Sequence, residues 1–227
     1  LTRSWWGISA GDWEATIWGY AIKRQSRLQA AAKRGRDRIK RLLTRTLYLS
    51  AYDLDEASIR TFVADIRQRG PASLYGYVSA LERFALFVQE NDVDLNLPER
   101  AVVIPTAEAM SEEQRAFMNS VFDRPIANEY GCSEAGILAF ECPQGSMHLL
   151  EETSYVEVVD DAGRPVGGPG NLVVTSLHNF SVPLIRYGVG DIGEISEEPC
   201  SCGRGGRLLS TLLGRKWSTL QGANGQH

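Results

Sequence analysis

Long apolar runs are missing from this 227-residue chain. No stretch reaches the roughly 18 consecutive apolar residues that a membrane span requires, and the Trp-rich start, Trp5 to Ile22, is broken by Asp12 and Glu14. That start also lacks a charged lead followed by a small-residue cleavage site, so it is not expected to be a signal peptide. A cytoplasmic protein is therefore expected. Histidine is scarce at three residues and cysteine stops at four; in a cytoplasmic setting so few thiols argue against a disulfide framework. Internal repeats and low-complexity tracts are absent, so solenoid and fibrous architectures drop out. The first residue is Leu rather than Met, and the expectation is a sequence that begins mid-chain.

What is present suits one large domain or one and a half small ones: 43% of residues are apolar, enough for a sizeable core. Charge is unevenly placed. Lys23 to Arg45 holds ten basic residues and one acid, Asp37, a local charge of +9 in a chain of net −4. Leu28, Ala31, Ala32, Ile39, Leu42 and Leu43 fall on one face of that stretch at helical spacing. It reads as an amphipathic helix with a solvated basic face, with weak contact to an anionic membrane surface as the other option. No aromatic interleaving or reader motif accompanies the charge, so nucleic acid is not an expected partner.

Further along, helical spacing predicts helices over 53–69 and 73–89, the first stopped by Gly70-Pro71. Ala101 to Ile104 reads as a short buried strand. Ser111 and Gln114 form the signature of a capping box, opening a helix that runs to about Phe122. Pro125 to Asn128 leads into a strand ending at Tyr130-Gly131. Beyond Gly136, strands are expected at 155–159, 172–175 and 184–187, separated by Gly- and Pro-rich turns. The fold class is thus α/β: part of a parallel α/β sheet followed by a small antiparallel β subdomain. The expected division is a basic helical segment over 1–50, an α/β part over 51–150, a β-rich subdomain over 151–213 and a hinge over 214–227.

Three short pieces carry chemistry. Tyr130-Gly-Cys-Ser-Glu134 sits where a buried strand meets a turn, and ligands of open α/β sheets bind at the carboxyl ends of strands. An aromatic ring there can stack on a base, a hydroxyl can bond phosphate and a carboxylate can hold Mg²⁺. Arg186-Tyr-Gly-Val-Gly-Asp191 places a carboxylate after a Gly-flexed turn, suited to both hydroxyls of a ribose. Gly214-Arg215 offers a guanidinium fork suited to phosphate.

In this order the three pieces resemble the adenylate-forming superfamily, and within it the phenylacetate–CoA ligase family with its capsule-biosynthesis-like branch. The resemblance extends to Pro71-Ala-Ser-Leu-Tyr-Gly-Tyr-Val-Ser-Ala-Leu81, to Thr106-Ala-Glu108 followed by Arg115, and to the segments around Cys142 and Cys200. It covers about residues 54 to 216. It implies that Tyr130 stacks on the adenine, with Thr106 and Ala107 on its other face, and that Gly131 and Glu108 also bind the nucleotide. It implies further that Ser133 contacts phosphate, Glu134 holds Mg²⁺, Asp191 binds the ribose and Arg215 reaches the ribose or phosphate. The implied reaction is ATP-dependent activation of a carboxylic acid as an acyl-adenylate, followed by transfer to CoA. The alternative is a non-catalytic, zinc-stabilised nucleotide-binding or scaffold relative of the same fold. The family's Ser/Thr/Gly-rich phosphate loop and its Lys-bearing C-terminal domain are not in these 227 residues, and Trp217-Ser218 stand where the family has a hinge Asp. The expectation is an internal fragment that is inactive alone. Tyr75, Tyr77 and Trp217 are candidates for an aromatic acid pocket or for plain core packing. The acid itself is not legible, nor is the oligomeric state, for which a homodimer is one option.

Cys142, His148, Cys200 and Cys202 together supply three thiols and an imidazole, a workable tetrahedral zinc set. The 51 residues between His148 and Cys200 mean that only the fold can unite the pairs. Structural zinc and free buried cysteines both remain open. Cys132 reads as packing, and His178 and His227 as surface or structural residues.

Overall fold

The computed structural model describes residues 2–19, 41, 43–52 and 54–216. The chain forms two compact units, 1–127 and 128–227.

In the first unit, strands β1 (Glu14–Trp18), β2 (Thr46–Ser50), β3 (Ser73–Tyr77) and β4 (Val102–Thr106) form a parallel sheet in the order β2–β1–β3–β4. Helices α1 (Glu56–Arg69), α2 (Val78–Glu90) and α3 (Glu112–Phe122) share its core. Local signals set the helix ends. Asp55 accepts from the Ser58 amide to open α1, and Gly70 closes it in a left-handed conformation. Ser111 and Gln114 make both bonds of the expected capping box on α3. Phe84 of α2 is fully buried and stacks with Phe122 of α3, while Phe62 of α1 meets it edge-on.

Two expectations fail here. Residues 73–77 are a strand and not the first turn of a helix. They pair with β1 on one side and β4 on the other, and Gly76 runs so close to β1 that a Cβ would lie 2.5 Å from the Ile17 carbonyl oxygen. The first fifty residues supply β1 and β2 rather than a wholly helical segment. Ala15 and Ile17 are both fully buried, as in parallel strands covered on their faces. Most of the basic stretch, including Leu28, Ala31, Ala32, Ile39 and Leu42, lies outside the described residues. Leu43, assigned to its apolar face, is 81% exposed.

The second unit holds β5 (Glu129–Cys132), β6 (Gly136–Glu141), β7 (Met147–Leu149), β8 (Ser154–Val159), β9 (Gly170–Ser176), β10 (Tyr187–Ser196) and β11 (Leu208–Arg215). They are antiparallel throughout, in the order β5–β6–β7–β11–β10–β9–β8. Leu138, Val156, Leu172, Val174 and Leu209 form its core. The expected strand at 184–187 begins only at Tyr187: Ile185 is exposed, Arg186 has a positive φ of 50°, and β9 pairing starts with Tyr187 opposite Val174.

Candidate active site and metal centre

Asp191 is the hub of the second unit's polar cluster. It lies on β10 where the ladder to β9 breaks between Gly188 and Ile192, just after Gly190, whose φ of 83° only glycine adopts readily. Pairing with β11 sets Asp191 opposite Arg215. Arg215 Nε lies 3.2 Å from Asp191 Oδ1, and its Nη1 donates to the Val189 carbonyl at 3.3 Å. From β5, the Tyr130 hydroxyl donates to Asp191 Oδ2 at 2.7 Å. The carboxylate is therefore held from both sides, with its side chain 10% exposed. Burial, followed by the hydrogen bond and charge of Asp191, pushes the Tyr130 hydroxyl well above its ordinary range, so it stays protonated and donates. The sequence did not disclose this contact; the only signal was a Tyr where a Phe would pack as well.

Ser133 and Glu134 occupy the exposed turn of the β5–β6 hairpin. Gly131 makes that hairpin possible, because a Cβ there would collide with the Gly136 carbonyl oxygen. Burial raises the Cys132 thiol, which disfavours the nucleophilic thiolate.

In the first unit, Thr106 ends β4 buried, and Ala107 follows at a φ of 65°, strained for a residue with a Cβ. Glu108 holds the turn in place. Its carboxylate accepts from the Ser79 amide at 2.6 Å and the Ser79 hydroxyl at 2.9 Å, capping the start of α2. Across β1 and β3, Trp18 stacks on Tyr75 and Tyr77 with ring centroids 5.5 and 4.2 Å apart. Arg115 of α3 donates to the Ile126 carbonyl.

The four zinc candidates converge. Cys142 follows β6, His148 lies in β7, and Cys200 and Cys202 sit in the β10–β11 loop. Pairing of Leu208 with His148 draws that loop to the pair. Their ligand atoms all lie within 4.8 Å of one another. Cys142 Sγ is 3.8 Å from Cys200 Sγ, and Cys202 Sγ is 3.3 Å from His148 Nε2. A tetrahedral ion with zinc–sulfur bonds of about 2.3 Å requires sulfurs about 3.8 Å apart, so the set fits zinc. Backbone amides of Cys202 and Arg204 donate to Cys200 Sγ and Cys202 Sγ at 3.5 Å, as suits thiolates. Burial raises the Cys142 thiol, whereas Cys200 is brought down to about 6, chiefly by hydrogen bonding with Ser146. His178, as expected, is an exposed residue, bonded to the Thr153 carbonyl.

No family model matches the chain. Its fold is nonetheless that of acid–CoA ligases. It overlays 2-hydroxyisobutyryl-CoA ligase, solved with 2-HIB-AMP and CoA, at a TM-score of 0.73 and 20% identity, covering 94% of this chain and 50% of that one. Anthranilate CoA ligase AuaEII, solved with anthranoyl-AMP, gives 0.60 and 18% over 98% of this chain and 44% of that one. In sequence, the chain is 26% identical to Protein CapK of Staphylococcus aureus over 176 residues, 77% of this chain and 38% of the relative. It is 37% identical to phenylacetate-coenzyme A ligase of Thermus thermophilus over 118 residues, 48% of this chain and 26% of the relative. The chain thus spans well under two thirds of these relatives. In sequence the chain is thus similar to a CapK protein and to a phenylacetate–CoA ligase, and in fold to acid–CoA ligases.

Proposed function

We propose that the protein carrying this chain uses ATP to activate a carboxylic acid as its acyl-adenylate and passes the acyl group to CoA. The observation that carries the reading is the Tyr130–Asp191–Arg215 cluster, a carboxylate pinned at a break in the β9–β10 ladder within a fold shared with enzymes solved with acyl-AMP. On this reading Asp191 accepts the ribose hydroxyls and Arg215 serves ribose or phosphate. Tyr130 and Gly131 lie at the adenine, and Thr106, Ala107 and Glu108 contribute a backbone turn to the nucleotide. Ser133 contacts phosphate. Glu134, on an exposed hairpin turn, would hold Mg²⁺, which commonly takes one or two carboxylates and fills its shell with phosphate oxygens and water. Bound there, the ion would neutralise charge on the leaving group.

The reaction is a substitution at phosphorus. A carboxylate oxygen attacks the α-phosphorus, the bond to the bridging oxygen breaks, and pyrophosphate departs. The protein's contribution is positioning and charge stabilisation. A zinc at Cys142, His148, Cys200 and Cys202 has no open position once four ligands are bound, so its role is structural. Among the described residues no helix is long and apolar enough to cross a membrane; a cytoplasmic setting is part of the proposal. Pyrophosphate release by the whole protein, tested against a panel of aryl and alkyl acids, checks the reading. Acid-dependent release supports it. Tight AMP binding without release with any acid would point to the non-catalytic alternative.

A further inference from the structure

We propose that the Tyr130 hydroxyl and the Arg215 guanidinium clamp the Asp191 carboxylate from opposite sides and so position it for the two hydroxyls of a ribose. The proposal rests on the reading of Asp191 as the ribose acceptor, and it gives the phenol of Tyr130 a duty separate from that of its ring.

Asp191 needs such a clamp because its backbone is paired on the β11 side only, and backbone pairing does not fix the plane of its carboxylate. The β9 ladder is interrupted on one side of it, the β11 register shifts just beyond Ile192, and Gly190 precedes it. The terminal torsion of an aspartate is broad and roughly two-fold, so an unheld carboxylate would turn freely. An ionised carboxylate offers two oxygens with about four lone-pair sites. Tyr130 occupies one site on Oδ2 at 2.7 Å, and the Arg215 guanidinium faces Oδ1 as an ion pair at 3.2 Å. Both oxygens keep acceptor capacity, which suits the two donors of a vicinal diol. The donors come from β5 and β11, elements fixed by their own pairing, so the plane of the carboxylate is set before any ligand arrives. Preorganisation of this kind removes an ordering cost from binding. Tyr130 acts here through Asp191 and is a positioning residue.

Tyr130→Phe separates the two duties, since it keeps the ring and removes only the hydroxyl. The test is equilibrium binding of ATP and 2′-deoxy-ATP to the whole protein, by titration calorimetry, for the wild type, Tyr130→Phe and Arg215→Gln. The wild type should prefer ATP. Tyr130→Phe should weaken ATP binding about tenfold, the order expected for loss of a charge-assisted hydrogen bond, and change 2′-deoxy-ATP binding much less. Its preference for ATP then shrinks towards none, a change that a merely structural role would not produce. Arg215→Gln should compress the ratio in the same way. Its side chain is 62% exposed, so its fold is safe, and it decides the matter if Tyr130→Phe unfolds. A wild-type preference kept intact by either folded variant overturns the clamp and leaves the ribose reading standing. A wild type that binds no ATP, or that does not distinguish the two nucleotides, overturns the ribose reading and the clamp with it.

Discussion

Replacing Cys200 with Ser should remove a metal ion and loosen one defined part of the second unit. The four ligand atoms already lie within 4.8 Å, and the Cys142–Cys200 separation of 3.8 Å matches the edge of a zinc–thiolate tetrahedron. Binding to so preformed a set costs little rearrangement. A metal held at a thousand times its dissociation constant stabilises the folded state by about 4 kcal/mol. The second unit keeps its own core of Leu138, Val156, Leu172 and Val174, so the loss should weaken it without abolishing it. Metal analysis of the purified protein should find about one zinc per chain, close to none in Cys200→Ser, and an unchanged amount in Cys132→Ser. Hydrogen exchange should accelerate around Cys142–His148 and Cys200–Leu208, and leave α1, α2 and α3 as they were. The bound form is the thiolate, so binding releases protons and weakens as pH falls. Zinc retained by Cys200→Ser, or exchange that accelerates first in the helices, would refute the argument.

Other perturbations separate structure from chemistry. Gly131→Ala should leave the first unit folded but push β5 and β6 apart, because its Cβ meets the Gly136 carbonyl. Adenylation by the whole protein should then fall at least tenfold, as a misplacement near 1 Å can cost a hundredfold; full activity would free the hairpin turn from any metal role. Asp12 accepts from both Nη atoms of Arg100 at 2.8 Å, and its carboxyl is lowered to about 2, first by that bond and then by the Ser9 amide. A lowered carboxyl stabilises above its ordinary value and loses that contribution as pH falls through about 2. The pair is partly solvated, so Asp12→Asn should cost about 0.2–1 kcal/mol at pH 7 in urea unfolding, and the difference should close below about pH 2. A gap that widened in acid would show that the sign is wrong.

The sequence disclosed most where the signal was local. Ser111 and Gln114 announced α3 through side chains three residues apart, and Gly70 ended α1 where expected. It misled where two periods fit the same residues. Leu74, Tyr77, Leu81 and Phe84 continue one helical stripe on paper, yet Ser73–Tyr77 becomes a strand because β1 and β4 close on it from both sides. No local pattern carries that information, since β1 lies 55 residues or more upstream of its partner. The polar cluster shows the same division. Asp191 and Arg215 stood out as residue types in suggestive turns, but their pairing depends on the β10–β11 register, and the Tyr130 bond spans 61 residues. The cysteine and histidine pairs were legible as ligands; their convergence follows from Leu208 meeting His148.

The most direct measurement is mass spectrometry of the reaction of the whole protein with ATP, Mg²⁺ and a panel of carboxylic acids in the absence of CoA. One acid should yield an acyl-AMP together with an equal amount of pyrophosphate, and Glu134→Gln should suppress both by orders of magnitude. Formation of ADP and phosphate in place of AMP and pyrophosphate, or no acid-dependent product from any member of the panel, would contradict an acyl-adenylate chemistry for this fold.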